Sequence, residues 1–202
     1  MKRLIVGMSG ASGAIIGIRL LETLHDLHIE THLILTKWAE ATIKLETWQN
    51  AKDLTCLATT VHSVSNQAAT ISSGSFVADG MIIVPCSMKT LAHIRHGLAD
   101  DLLCRAADVT LKEKRKLVLV TREMPLSEIH LENMLALARM GAVILPPMLT
   151  FYNHPQTLDD MINHVVARTL DQFGFCADFA QRWEGVKHSP SSQQQKETQI
   201  GI

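Results

Sequence analysis

The stretch Arg3-Leu-Ile-Val-Gly-Met-Ser-Gly-Ala-Ser-Gly13 decides how the rest of the chain is read. Leu4 to Val6, with Met8, is an apolar run of strand length, and glycines recur at positions 7, 10 and 13 with Ser9 and Ser12 between them. From Ala14 to Leu24 the period changes, and Ile15, Ile18, Leu21 and Leu24 stand at helical spacing. A strand that turns on glycine into a helix leaves backbone N–H groups pointing outward, where the helix dipole adds positive potential. Such a turn is either a phosphate cradle or a plain tight turn, and its spacing is not the G-x-G-x-x-G of dinucleotide folds.

Outward from that stretch the alternation repeats. Thr31 to Thr36 reads as a second strand and Lys37 to Glu46 as a helix. A dinucleotide fold wants an acidic residue at the end of its second strand; Thr36 and Lys37 stand there, which favours a mononucleotide. Asn50 to Ser75 is less decisive, with a short helix near Asp53 to Ala58 and a serine-rich loop from Gln67 to Phe76. Met81 to Cys86 is a strand, and Ser87 is placed to cap a helix from Met88 to His96. Asp100 to Glu113 reads as a helix, Lys116 to Thr121 as a strand, and Ser127 to Met140 as a helix stopped by Gly141. Ala142 to Leu145 is the fifth strand, and Thr157 to Phe173 the last long helix. Five apolar strands alternating with helices predict an α/β, doubly wound, mostly parallel sheet with helices on both faces, Rossmann-like or flavodoxin-like. The domain covers residues 1–186, and the polar stretch 187–202 is expected to be disordered.

Composition removes several functions. Among 202 residues, a formal net charge of −1 and 4% aromatics supply neither bulk attraction to nucleic acid nor a base-stacking platform. No uncharged apolar stretch approaches ~20 residues, and the run after Met1 stops at Gly7, too short for a secretory signal. The four cysteines are widely spaced without C-x-x-C, as in a reducing cytoplasm. Cys86, closing an apolar strand, reads as a buried small hydrophobe. His130-Leu-Glu132 lacks metal-ligand spacing, so no metal site is expected.

Ligands of such sheets bind beyond the carboxyl ends of the strands. Those ends carry Ser9 to Gly13, Thr36-Lys37, Cys86-Ser87 and Arg122-Glu123, then Pro146-Pro147 leading to Tyr152. Glycine backbone, hydroxyls and a guanidinium converging at one edge suit a phosphorylated ligand. Ser12, Ser87 and Thr90 have a second reading as helix caps. Arg122 and Glu123, charged at the exit of a buried strand, read as functional.

Several separated motifs then resemble one family. Gly10-Ala-Ser-Gly13, Pro85-Cys-Ser-Met-Lys-Thr90, Arg105-Ala-Ala-Asp-Val109 with Leu111-Lys-Glu113, Arg122-Glu-Met-Pro-Leu126, and Phe151-Tyr152 before the last helix resemble the UbiX-type flavin prenyltransferases. The likeness runs from Met1 to about Gly185, and Asp79 to Thr90 looks most like the branch accompanying bacterial hydroxyarylic (phenolic) acid decarboxylases. It implies a dodecamer binding FMN between subunits. The implied reaction joins a dimethylallyl group from dimethylallyl monophosphate to reduced FMN, giving prenylated FMN for a separate decarboxylase. By resemblance, FMN contacts Gly10, Ala11, Ser12, Gly13, Thr36, Ser87, Met88, Lys89, Thr90 and Arg122. The prenyl phosphate meets Lys112, Arg122, Tyr152 and Arg168, with Arg105 arriving from a neighbouring subunit. Ser12 and Glu123 assist proton movement, and Glu46 faces the reacting rings. Thr36 stands where serine is common, and Trp38 replaces a small residue.

The bare residues agree with metal-free chemistry. Asp100-Asp101-Leu-Leu-Cys104 and Asp159-Asp160-Met-Ile-Asn163 do not complete the D-D-x-x-D motif that holds a diphosphate through Mg²⁺. Two other readings stay open: an FMN-dependent decarboxylase acting directly on an aromatic acid, and a non-catalytic FMN-carrying subunit. The first wants a histidine base and an asparagine-rich clamp, and the second has no need of Lys112, Tyr152 and Arg168.

Overall fold

The computed structural model describes residues 2–183 and 185. Its frame is a six-stranded, wholly parallel sheet in the order β3-β2-β1-β4-β5-β6. The strands are β1 (Arg3–Met8), β2 (Glu30–Leu35), β3 (Thr60–Ser63), β4 (Gly80–Cys86), β5 (Lys116–Thr121) and β6 (Val143–Ile144). The helices are α1 (Ala14–Asp26), α2 (Lys37–Glu46), α3 (Ala51–Thr55), α4 (Met88–Arg95), α5 (Leu102–Lys112), α6 (Glu128–Arg139) and α7 (Leu158–Asp171). The chain winds outward from β1 to β3, then returns to β4 on the other side of β1 and winds outward again. The β1/β4 boundary is therefore the topological switch, where two loops diverge and leave a crevice.

The central strands β1, β4 and β5 are largely apolar because both sheet faces are covered. Leu4, Val6, Ile82, Val84, Val118 and Val120 pack toward α1, α2 and α7. Their neighbours Ile5, Met81, Ile83, Leu117 and Leu119 pack toward α4, α5 and α6. Each fully buried side chain of this kind contributes roughly 1.5–3 kcal/mol, and buried helix residues such as Ile18, Leu21, Leu102 and Leu170 complete the core on the two faces. Gly17 lets α1 lie close on the sheet, since a Cβ there would come within 2.6 Å of the Val84 carbonyl oxygen. The Cys86 thiol is buried among these residues, and burial pushes its pKa up to about 12.

Two differences from the sequence reading have physical causes. The sheet has a sixth strand, β3, inside the undecided segment, and its polarity is inverted. Val61 is exposed while His62 turns inward, stacking on His32 at 5.2 Å with a 2.9 Å ring-nitrogen contact. An edge strand sealed by a histidine pair carries no aliphatic alternation to read. The fifth expected strand shrinks to Val143–Ile144, because Pro146 and Pro147 end its pairing. The expectation for 187–202 lies outside the described residues. Among the described residues, no helix is long and apolar enough to cross a membrane.

Candidate functional site

The ends of β1 and β4 are locked together by Ser9. Its buried hydroxyl donates to the Pro85 carbonyl at 3.0 Å and accepts the Ser87 N–H at 2.8 Å, while its own N–H donates to Pro85 at 3.1 Å. Ser9 was legible only as part of a strand end, and its structural role comes from a contact 76 residues away. The turn that follows has Gly13 in the left-handed region (φ 101°) as the N-cap of α1. Gly10 is hemmed in as well: a Cβ there would fall 2.3 Å from the Trp38 Cβ. Trp38 itself is 72% exposed at the rim.

The N-terminus of α1 is not open to a phosphate. Glu46, at the end of α2, accepts the Gly13 N–H at 2.9 Å and the Ala14 N–H at 3.0 Å through Oε2. Ser12 does not cap α1, and its hydroxyl turns to Glu46 instead. Burial alone would raise the Glu46 pKa, yet Ser12, the two N–H groups and nearby Arg122 outweigh it and hold the carboxyl below its ordinary value. The phosphate-cradle reading of this turn is thereby corrected: a carboxylate of the same chain occupies it.

At α4 the arrangement is the reverse. The Ser87 hydroxyl accepts the Thr90 N–H at 3.2 Å and donates to the Thr90 hydroxyl at 3.1 Å. Ser87 is thus the cap, as expected, and Thr90 is its partner. The N–H groups of Met88 and Lys89 lie ahead of the first intrahelical bond and remain for a ligand, with the Lys89 ammonium on the same turn. A recess of ≈ 210 Å³ opens here, lined by Gly10, Thr36, Trp38, Ser87, Lys89 and Thr90 among others. The Thr36 hydroxyl caps α2 by accepting the Ala39 N–H at 3.1 Å.

A larger cleft of ≈ 620 Å³ lies beside it, between the β1 turn and the exits of β5 and β6. Ser12, Gly13, Arg122 and Glu123 give it polar edges, and Ile16, Met124, Leu126, Pro146, Pro147 and Met148 give it an apolar wall. Arg122 is aimed by its backbone, whose N–H donates to the Cys86 carbonyl at 3.1 Å. Thr121 lines the same cleft with a buried hydroxyl that has no partner among the described residues. An orphaned buried polar atom at a cleft wall is what a bound ligand would satisfy. Among the described residues, no histidine lines this cleft.

The remaining expected cations are elsewhere. Asp101 and Cys104, in the first turn of α5, touch the recess, so Lys112 at its far end stands about 16 Å away along the helix. Lys112 pairs there with Glu113 beside Gly74. Arg105, midway, is held by Asp108 at 2.7 Å and by the Ser72 carbonyl. Arg168 lies in the last turn of α7, whose end is fastened to the amino-terminal end of the sheet by Lys2 and Lys116, donating to the Phe173 and Gln172 carbonyls. Tyr152 lines a separate hollow of ≈ 560 Å³ with Asn153, Arg182 and Trp183. One chain therefore brings together Ser12, Glu46, Arg122 and Glu123, and keeps Lys112, Tyr152 and Arg168 apart from them.

The structure also gathers a group that linear spacing hides. Ligand atoms of His93, Asp100 and Cys104 lie within 4.8 Å of one another. Burial above all, then Asp101, pushes the Cys104 thiol far up, the opposite of what a thiolate ligand needs.

Comparison with known proteins fits this geometry. The Flavoprotein family profile matches residues 1–170. A probable UbiX-like flavin prenyltransferase of Escherichia coli O157:H7 is 60% identical over 196 residues, covering 96% of this chain and 100% of the relative. The crystal structure of a dodecameric FMN-dependent UbiX-like decarboxylase from the same organism superposes with TM-score 0.89 at 62% identity, covering 91% of this chain and 100% of that one. AnUbiX (PadA1), crystallised with FMN and dimethylallyl pyrophosphate, superposes with TM-score 0.91 at 53% identity, covering 92% and 99%.

Proposed function

This chain belongs to the UbiX-like flavin prenyltransferases, and from that premise we propose how its two hollows divide the reaction. The product is prenylated FMN. Reduced FMN supplies N5 and C6 as the positions that take the dimethylallyl group. The residues fit FMN on two counts: the donors left at the start of α4 and the unpartnered Thr121 hydroxyl. The FMN phosphate sits on the N–H groups of Met88 and Lys89 with the Lys89 ammonium. Gly10, Ala11, Ser12, Gly13 and Thr36 border the ribityl chain and ring, and the ring enters the larger cleft.

The single observation that carries this reading is the cleft at Arg122. It joins an apolar wall, suited to a prenyl chain, to a guanidinium and to the carboxyl of Glu123, while Glu46 is bonded to the Gly13 N–H at its border. Ionising an allylic phosphate needs donors that strengthen as charge develops on the leaving group, each worth about 1.5–3 kcal/mol. Arg122 supplies such donors without a metal. Phosphate has a second pKa near ~6, so Glu123 is suited to protonate it as it departs. Ser12, whose hydroxyl faces Glu46, links the flavin edge to that proton path.

The donor is dimethylallyl monophosphate, and its phosphate needs more cations than one chain offers. Lys112, Arg168 and Tyr152, stranded at other faces, reach it from neighbouring copies, as Arg105 does. That supports a closed homo-oligomer, a dodecamer like the E. coli O157:H7 relative. The product serves a separate decarboxylase, and the Asp79 to Thr90 stretch favours one acting on hydroxyarylic acids.

The test is anaerobic incubation of the purified protein with reduced FMN and dimethylallyl monophosphate, with mass analysis of the flavin. A flavin heavier by one dimethylallyl group is expected, and less of it with the pyrophosphate. Unmodified flavin, with FMN binding verified, overturns the proposal. Carbon dioxide released from a phenolic acid by this chain alone would favour the direct-decarboxylase reading instead.

A further inference from the structure

The end of α7 carries a charge cluster of which the proposed reaction uses only Arg168. Arg168 Nη1 donates to Asp171 Oδ2 at 2.7 Å, one turn further along the helix. The same carboxylate takes a two-pronged fork from Arg182, Nη2 to Oδ1 at 2.7 Å and Nη1 to Oδ2 at 3.0 Å. Asp171 is the most enclosed of the three, its side chain 18% exposed against 53% for Arg168 and 45% for Arg182. Arg182 lies beyond the helix end, so its fork also ties the following segment to α7. Trp183, next in sequence, meets the edge of Tyr152 with ring centroids 5.7 Å apart.

The division of the carboxylate between the two guanidiniums is informative. A fork is the strongest geometry a carboxylate offers, and it competes directly with a phosphate for the same guanidinium edge. Asp171 gives its fork to Arg182 and only a single bond to Arg168. Most of the five N–H donors of Arg168 therefore stay available while its side chain is already oriented. Two guanidiniums against one carboxylate also leave the cluster net positive toward solvent. A free arginine side chain loses rotamer entropy when fixed, and a guanidinium set beforehand avoids most of that loss on binding.

We propose that Asp171 is a positioning residue for prenyl-donor recognition: anchored by Arg182, it holds Arg168 with its open edge toward the phosphate in a neighbouring copy's cleft. This rests on the reading, given above, that Arg168 meets that phosphate. Asp171 touches neither substrate nor flavin and acts through Arg168. Arg182 supports it from the second side.

Steady-state kinetics of the full-length protein, at saturating reduced FMN and varied dimethylallyl monophosphate, test this with four variants. Asp171→Asn is expected to raise KM for the prenyl donor about tenfold, with kcat within about twofold and FMN affinity unchanged. Asp171→Glu should recover most of the loss, and Arg182→Gln should raise the same KM about threefold. Arg168→Gln sets the reference and should raise it more than either. If Arg168→Gln raises KM while Asp171→Asn leaves it unchanged or lowers it, the positioning role is wrong and the phosphate reading stands. If Arg168→Gln itself leaves KM unchanged, the phosphate reading fails and takes this inference with it. Should Asp171→Asn not fold, Arg182→Gln decides, because its residue is nearly half exposed: an unchanged KM there overturns the proposal.

Discussion

Two helices begin at the switch between β1 and β4, and their N-termini are finished in opposite ways. The start of α1 follows a glycine with no side chain to cap it, and Glu46 from the end of α2 fills the gap with its carboxylate. The start of α4 is capped by its own Ser87, which takes one N–H and leaves two others and Lys89 beside them. Both turns read alike as small, hydroxyl-bearing strand exits. The difference is whether a negative charge from elsewhere in the chain has already taken the positive end of the helix. On the function proposed above, α4 holds the flavin phosphate, and the α1 side, with Ser12, Glu46, Arg122 and Glu123, is left for the chemistry.

The sharpest way to break that division is Glu123→Gln. The residue lines the α1-side cleft and does not line the recess at the start of α4. Removing a general acid typically costs between about 10² and 10⁴ in rate, so kcat for prenyl transfer is expected to fall at least about 100-fold. FMN affinity, measured by titration calorimetry, should stay within about twofold, because the phosphate contacts are untouched. A comparable loss in both would make Glu123 part of the flavin's hold, and the two turns would no longer have separate work.

A smaller effect is expected from Ser87→Ala, read on two ligands. Losing an N-cap costs about 1 kcal/mol and frees the first turn of α4 to move, so FMN affinity should weaken about tenfold. Riboflavin has no phosphate and should lose about twofold at most, and kcat at saturating FMN should be retained. Ser12→Ala, on the α1 side, should leave the ratio of FMN to riboflavin affinity as it is. Equal weakening of both ligands by Ser87→Ala would mean that the phosphate does not rest on α4.

How much of this was open to a reader of the sequence follows from where each signal lives. The strands β1, β2, β4 and β5 announce themselves because a strand buried on both faces carries an unbroken apolar run, here Leu4 to Val6, Leu33 to Leu35, Met81 to Val84 and Leu117 to Val120. β3 stayed hidden because its inward residue is His62, whose meaning depends on His32 from another strand. The Ser87 cap was legible, being local to four residues. The filling of α1 by Glu46 was not, since 32 residues and a helix separate the carboxylate from the Ala14 N–H it accepts. The same limit governs Lys112, Tyr152 and Arg168, whose motifs are plain while their direction depends on how α5 and α7 run past the sheet.

The smallest expected effect concerns Glu46 itself and tests whether its charge, and not only its shape, closes α1. Glu46→Gln keeps an acceptor oxygen for the Gly13 and Ala14 N–H groups but removes the negative charge. The folded carboxyl lies below its ordinary pKa of 4.5, so the charged form is favoured by folding. That contribution is fully present above the unfolded value and is lost as pH falls through the folded one. Glu46 is largely open to solvent, which screens the interaction, so the variant should be less stable by only about 0.5–1 kcal/mol at neutral pH. Urea denaturation of both proteins should show a gap that persists down to about pH 5 and closes below it, as Glu46 takes up its proton. Added salt should narrow the gap at neutral pH. A gap independent of both pH and salt would mean that geometry alone fills the α1 terminus, and the contrast with α4 would then be one of shape rather than of charge.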